Sequence, residues 1–189
     1  MACPITVTKF VGTVSLGLLT GLSYSASTVA VPSLKFLPTS ANASRSLQEV
    51  KRLNRKHCLH LTNLANACLL FAYSVSPKHR KHPYLIWMCL TSAVGSYGVD
   101  FWFHRDAGFA AWAHSVVQDV TSLCPGGKPP AKKEEDIVVV EPEEEVNVNV
   151  NGESVGREMD HERRMQRARA WFSGVALAMG IVGLWGDMA

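Results

Sequence analysis

The sequence predicts an all-α membrane protein with four transmembrane helices, an amphipathic surface helix and a disordered acidic cytosolic loop. Two observations predict it. Four separated apolar stretches, at residues 10–31, 58–75, 83–99 and 170–186, contain no Lys, Arg, Asp or Glu. Each is close to the ~20 residues a helix needs to cross ~30 Å of hydrocarbon. Between the third and fourth lies a strongly polar tract, so the mean hydropathy of +0.05 averages two kinds of chain. A soluble core would instead spread its apolar residues at helical or strand periods.

The first span, 10–31, carries Thr13, Gly17 and Gly21 at four-residue spacing, on one helix face. Small residues let helices approach closely where lipid offers no hydrophobic drive to associate. The fourth span repeats the device with Gly174 and Ala178. These faces are expected to pack the helices of one chain together, with homo-oligomerisation as the other use. Pro32 and Pro38 are expected to end the first helix.

Ser46-Leu47-Gln48-Glu49 fits a capping box. A helix starting there runs through Lys51, Arg52, Arg55 and Lys56 into the second span, 58–75. Those cations suit the phosphate level of a bilayer, as topology determinants or as a head-group site. Residues 76–82 are too few for anything but an antiparallel hairpin into the third span, 83–99, and Pro83 suits its first turn. Residues 1–123 thus hold three spans and end in an amphipathic helix, 105–123. Its apolar residues, Phe109, Trp112, Ala113, Val116, Val117, Val120 and Leu123, form one stripe. That helix should lie on the membrane surface or pack on the basic helix before the second span. Residues 124–157, rich in Pro, Gly, Glu and Asn without an aromatic, read as a disordered acidic loop. Residues 158–189 read as a basic helix leading into the fourth span.

Positive residues tend to stay cytosolic. Lys35, Arg45, Lys51, Arg52, Arg55, Lys56, Arg105, Arg163, Arg164, Arg167 and Arg169 lie on one side; Lys9, Lys78, Arg80 and Lys81 lie on the other. The acidic loop is therefore expected in the cytosol and both termini on the far side. No basic residue precedes Lys9 and no Arg precedes Arg45, which favours an uncleaved first span over a signal peptide or a mitochondrial presequence.

The net charge of +3, with no basic patch interleaved with aromatics, excludes a nucleic-acid partner. Five cysteines, an odd number without a CxxC and with Cys68 and Cys89 inside spans, argue against a disulfide framework. His104-Arg105-Asp106 matches the start of a kinase catalytic loop, but the Asn needed five residues after the Asp is Ala111. His57/His60 and His79/His82 sit at opposite ends of the second span, too far apart to share a metal. Asp100 is expected to reach the interface or to pair with Arg105. Asn63 and Asn66 are expected to hydrogen-bond between helices. No nucleophile, base, cofactor loop or metal set emerges, so the expectation is a non-enzyme without cofactor. Asn42-Ala43-Ser44 is a glycosylation sequon that would be silent in the cytosol.

The sharpest motif is Ile137-Val138-Val139-Val140 between Glu134-Glu135-Asp136 and Glu141-Pro142-Glu143. Such a segment can add a strand to a partner's sheet edge while its acids meet a basic rim. It resembles a SUMO-interacting motif. The alternative is a solvated acidic spacer.

Three stretches carry a wider resemblance: Ile5-Thr6-Val7-Thr8-Lys9 leading to Gly17/Gly21 and Ser25-Ala26-Ser27; His82-Pro83-Tyr84-Leu85; and Gly180-Ile181-Val182-Gly183-Leu184-Trp185-Gly186-Asp187. Together they resemble the fungal autophagy-related protein 33 family. The resemblance covers the four spans and fails in the long third connection. It implies a four-span protein of the mitochondrial outer membrane that promotes selective autophagy of mitochondria (mitophagy) as an adaptor or regulator. Its partners would be membrane lipids and an autophagy or SUMO-type protein met through the acidic loop, and its termini would lie in the intermembrane space. Direct docking of the autophagy ubiquitin-like protein is not expected. The matching aromatic-to-aliphatic spacings, Trp87–Leu90 and Phe172–Val175, lie inside spans. The alternative is a small four-helix channel, carrier or membrane-shaping protein, with Asp100, Asn63 and Asn66 along a polar path.

Overall fold

The computed structural model describes residues 4–76, 82–103, 105, 108–121 and 152–186, and among these there is no strand. Helix α1 (Pro4–Ser25) does not stop at Pro32. It continues through a π turn (Ala26–Ala30), a short α2 (Val31–Ser33) and a 3₁₀ turn (Leu34–Phe36). The π turn explains the difference. Val31 N–H donates to Ala26 O, five residues back, which widens the helix just before a residue that has no N–H and whose ring crowds the preceding turn. The run ends at Leu37, which is extended (φ −70°, ψ 138°) as a residue before proline prefers.

Helix α3 (Ser40–Val75) is 36 residues long and starts ahead of the expected Ser46 cap. Thr39 is extended and accepts the Ala43 N–H at 3.1 Å. Ser46 is therefore interior to the helix. Tertiary burial explains the longer start: Ala43 and Leu47 pack with Val31, Val155 and Met159. As expected, α3 runs unbroken from its basic half into its apolar half.

Helix α4 (Tyr84–Ala93), a π turn (Val94–Gly98) and α5 (Val99–Phe103) form one continuous run. It returns antiparallel along α3, where the Thr62 and Ser96 hydroxyls meet at 2.6 Å. Helix α6 (Phe109–Thr121) begins later than the expected residue 105, because Gly108 takes a left-handed φ of 84° and breaks the run.

Helix α7 (Gly152–Gly186) begins six residues before the expected 158. Val155 and Met159 are buried and Arg157 pairs with Glu153 at 2.6 Å one turn back, so this segment is helix rather than loop. Residues 122–151, including Ile137, Val138, Val139 and Val140, lie outside the described residues.

Among the described residues, three helices are long and apolar enough to cross a membrane: Ile5–Phe36, Ser40–Val75 and Gly152–Gly186. The Tyr84–Phe103 run is not among them. At 36 residues α3 is roughly 54 Å long against about 30 Å of hydrocarbon. The surplus is its polar half, which pairs with the polar half of α7 through Lys51–Glu158 at 2.5 Å. Lys35 at the end of the first helical run meets Asp160 at 3.3 Å.

Where the apolar halves meet, Leu16, Leu19, Ala65, Leu69, Leu85, Met88 and Ala176 form the core. The large apolar side chains that remain, among them Phe10, Leu18, Phe71, Trp87, Val182 and Trp185, point outward. Small hydroxyls point inward, with Ser15, Ser23, Thr62, Ser92, Ser96 and Ser173 all buried. That inside-out distribution suits lipid surroundings, where packing rather than hydrophobic exclusion joins helices.

Candidate functional site

Helix α7 turns a periodic stripe inward: Met159, Glu162, Gln166, Arg169, Ser173, Ala176 and Gly180. Its middle is polar, so charge is carried into the bundle. The receiving group is Asp100, at the end of the third apolar stretch and fully buried. Arg55 of α3 donates through Nη2 to Asp100 Oδ2 at 3.1 Å. Trp112 of α6 donates its indole N–H to the same oxygen at 2.9 Å. Arg169 Nη2 faces Asp100 Oδ1 at 3.6 Å. Arg55 also donates to Ser115 Oγ at 2.9 Å and pairs with Asp119 at 3.5 Å.

Four elements therefore meet on one carboxylate. Two guanidiniums, Arg55 and Arg169, face two carboxylates, Asp100 and Asp119, and formal charge balances. A buried charge persists only when paired in this way. Arg169 is 1% exposed, and its Nε and Nη1 find no hydrogen-bond partner. Next to it, Gln166 Nε2 donates to Glu162 Oε1 at 2.7 Å. No nucleophile sits beside a base here, and among the described residues no three His, Cys, Asp or Glu gather to hold a metal. The arrangement ties helices together.

Asp100 thus pairs with Arg55 and Arg169 rather than with Arg105, which instead stacks over Trp102 at 5.6 Å. The reason is depth. Asp100 leaves the third stretch at the level where Arg55 and Arg169 stand at the polar borders of the second and fourth, and pairing there offsets the desolvation of all three. Equal depth of border charges was the signal available in the sequence. Helix α6 packs on the basic half of α3, the second of its two expected sites. Asn63 accepts the Tyr97 hydroxyl across the α3 hairpin.

The packing residues are brought together in part. Helices α1 and α7 run antiparallel. Thr13 Oγ1 lies beside Gly180, Gly17 faces Leu177, and Gly174 faces Thr20. A Cβ on Gly21 would meet nothing within 4 Å, and Gly21 lines an open groove with Gly174 and Ala178. The closest approaches are elsewhere. A Cβ on Gly183 would run into the Tyr84 ring, one on Gly95 would come within 2.5 Å of Phe172 Cβ, and one on Gly180 within 2.6 Å of Met88 Cε. Cys58, Cys68 and Cys89 are free thiols.

The family model described as Autophagy-related protein 33 matches residues 1–187. The chain is also 34% identical to Autophagy-related protein 33 of Gibberella zeae over 191 residues, covering 98% of this chain and 92% of the relative. No solved structure matches it.

Proposed function

The chain belongs to the autophagy-related protein 33 family, and on that premise we propose that it is a non-enzymatic integral protein of the mitochondrial outer membrane that promotes mitophagy as an adaptor or regulator. In this reading the Tyr84–Phe103 run is a fourth span beside the three long apolar helices. The polar halves of α3 and α7 stand in the cytosol with the long connection between α6 and α7. Both termini face the intermembrane space. The acidic Ile137–Val140 segment is the surface offered to a protein partner.

One observation carries the reading: the bundle is built to be held, with its charge spent on tying α3, α5, α6 and α7 together at Asp100. Two of the three residues that would line a polar path in a channel or carrier are bonded within the bundle, while the Oδ1 of the third, Asn66, is buried without a hydrogen-bond partner among the described residues. Asn63 is taken by Tyr97, and Asp100 by two arginines and a tryptophan. Anchoring and assembly are what such an interior supports, which leaves recognition to the chain outside it.

The test combines location with turnover. A fluorescent fusion of the full chain is expected on mitochondria, resistant to alkaline carbonate, with the 126–157 tract cut by protease added to intact organelles. Removing the protein is expected to slow delivery of a mitochondrial matrix reporter to the vacuole while bulk autophagy continues. A secretory-membrane location, or normal mitochondrial delivery without the protein, overturns the proposal. Changing Ile137–Val140 to Ala is expected to lose the captured partner; unchanged capture assigns that tract to a spacer.

A further inference from the structure

The groove between α1 and α7 is open along the outside of the bundle and encloses about 820 Å³. Its floor is Gly21, Gly174 and Ala178, and its walls are Tyr24 and Trp171, 62% and 75% exposed. At one end stands Arg167. The antiparallel register explains the order, since Thr20 lies beside Gly174 and Ser27 O accepts from Arg163 Nε at 3.2 Å. The groove therefore descends from a cation, past two amphipathic aromatics, onto bare backbone.

We infer that this groove is a binding site for an anionic phospholipid, with the phosphate on Arg167 and one acyl chain along Gly21, Gly174 and Ala178. Three observations select that occupant. First, length: Arg167 to Ala178 is eleven residues, a rise of roughly 16 Å, which matches one leaflet of a hydrocarbon core of about 30 Å. Second, charge: Arg163 is used by the bundle, whereas Arg167 is exposed and makes no hydrogen bond or ion pair among the described residues. The hydroxyls at that end already donate inward, Ser27 Oγ and Thr28 Oγ1 each to Tyr24 O at 2.8 Å. The guanidinium is then the charged donor at that end for a phosphate. Tyr24 and Trp171 sit where aromatic rings favour the head-group border.

Third, a second groove of about 550 Å³ continues along the same helix pair past Gly17 and Leu177, and no cation lines it. It has the apolar half of a lipid site without the anchor. A second copy of the chain suits the Arg167 groove poorly. A two-fold axis along the membrane normal would set the two Arg167 side chains against each other at this face.

The inference rests on α7 crossing a bilayer, not on any role in mitochondrial turnover. It is tested by native mass spectrometry of the full chain from micelles holding equal phosphatidylglycerol and phosphatidylcholine. One phosphatidylglycerol is expected to stay bound, preferred by about fivefold. Arg167→Gln is expected to abolish the preference. Gly21→Leu, whose Cβ meets no neighbour, is expected to fill the groove and lower retention of both lipids. Inorganic phosphate should not displace the lipid. Equal retention of the two lipids, an unaltered preference in Arg167→Gln, or a dimer that Gly21→Leu breaks while lipid retention holds would each overturn the site. Extraction of the protein by alkaline carbonate would overturn the membrane reading beneath it as well.

Discussion

Asp100 Oδ1 and Arg169 Nη2 face each other at 3.6 Å, with 0% and 1% of their side chains exposed. The carboxylate also accepts from Arg55 and Trp112. In a low-dielectric interior the attraction is strong, but so is the cost of removing the charges from water. The pair therefore specifies which helices meet more than it adds net stability. Its partners come from α3, α6 and α7, so one carboxylate on α5 registers four helices of the bundle.

Removing one side of that pair leaves charge stranded. Asp100→Asn is expected to destabilise the bundle by about 3–5 kcal/mol. In the Arg169→Met background the same change should cost clearly less, because the guanidinium it strands is already gone. A double-mutant cycle from unfolding in mild detergent measures the coupling. Costs that add within about 0.5 kcal/mol would contradict the pairing.

Gly95 is the tightest backbone contact with a side chain that cannot swing away. Gly95→Ala puts a methyl 2.5 Å from Phe172 Cβ and should cost about 1–3 kcal/mol by overpacking. Gly98→Ala is the control, since its methyl meets Val94 Cγ1 at an ordinary 3.5 Å. Equal melting temperatures for the two variants would rule out the close approach of the Val94–Gly98 π turn to α7.

Outside the apolar halves, burial should outweigh charge. Leu47 is 0% exposed among Val31, Ala43, Val155 and Met159, so Leu47→Ala is expected to cost about 2–5 kcal/mol. Lys51 and Glu158 are 28% and 45% exposed, and Lys51→Ala should cost under about 1 kcal/mol. Chemical denaturation of both variants decides; the reverse ranking would mean that the polar halves are joined by their ion pairs.

Helix α6 is held through Trp112, whose indole donates to Asp100 and whose ring meets Phe101 edge-on at 5.3 Å. Losing a hydrogen bond to a charged group costs about 1.5–3 kcal/mol. Trp112→Phe should therefore let α6 open about tenfold or more often. Limited trypsin cleavage after Arg105, followed by mass spectrometry, reports that opening. A wild-type cleavage rate would show that α6 does not depend on this bond.

The helices were legible because apolar stretches and their basic flanks are local features. The stretches at 10–31, 58–75 and 170–186 reappear inside the Ile5–Phe36 run, α3 and α7. Their ends were less legible. Ser46 looks like a cap only when Val155 and Met159 are out of view, because what extends α3 back to Ser40 is burial against residues more than a hundred positions away. Pro32 looks like a stop unless the helix widens before it.

Sequence alone determined that the described residues are all-helical, where the apolar helices lie, and which family their borders resemble. Those follow from composition and period along the chain. The tertiary structure decided the partners: Asp100 with Arg55 and Arg169, α6 on α3, Gly95 against Phe172, and the open groove at Gly21. The physical reason is that helix periodicity states which residues share a face but not which helix that face meets. In a bundle whose outer surface is as apolar as its core, hydrophobicity cannot choose among faces. Steric fit at glycines and the need to pair buried charge make the choice, and both exist only once the helices are together.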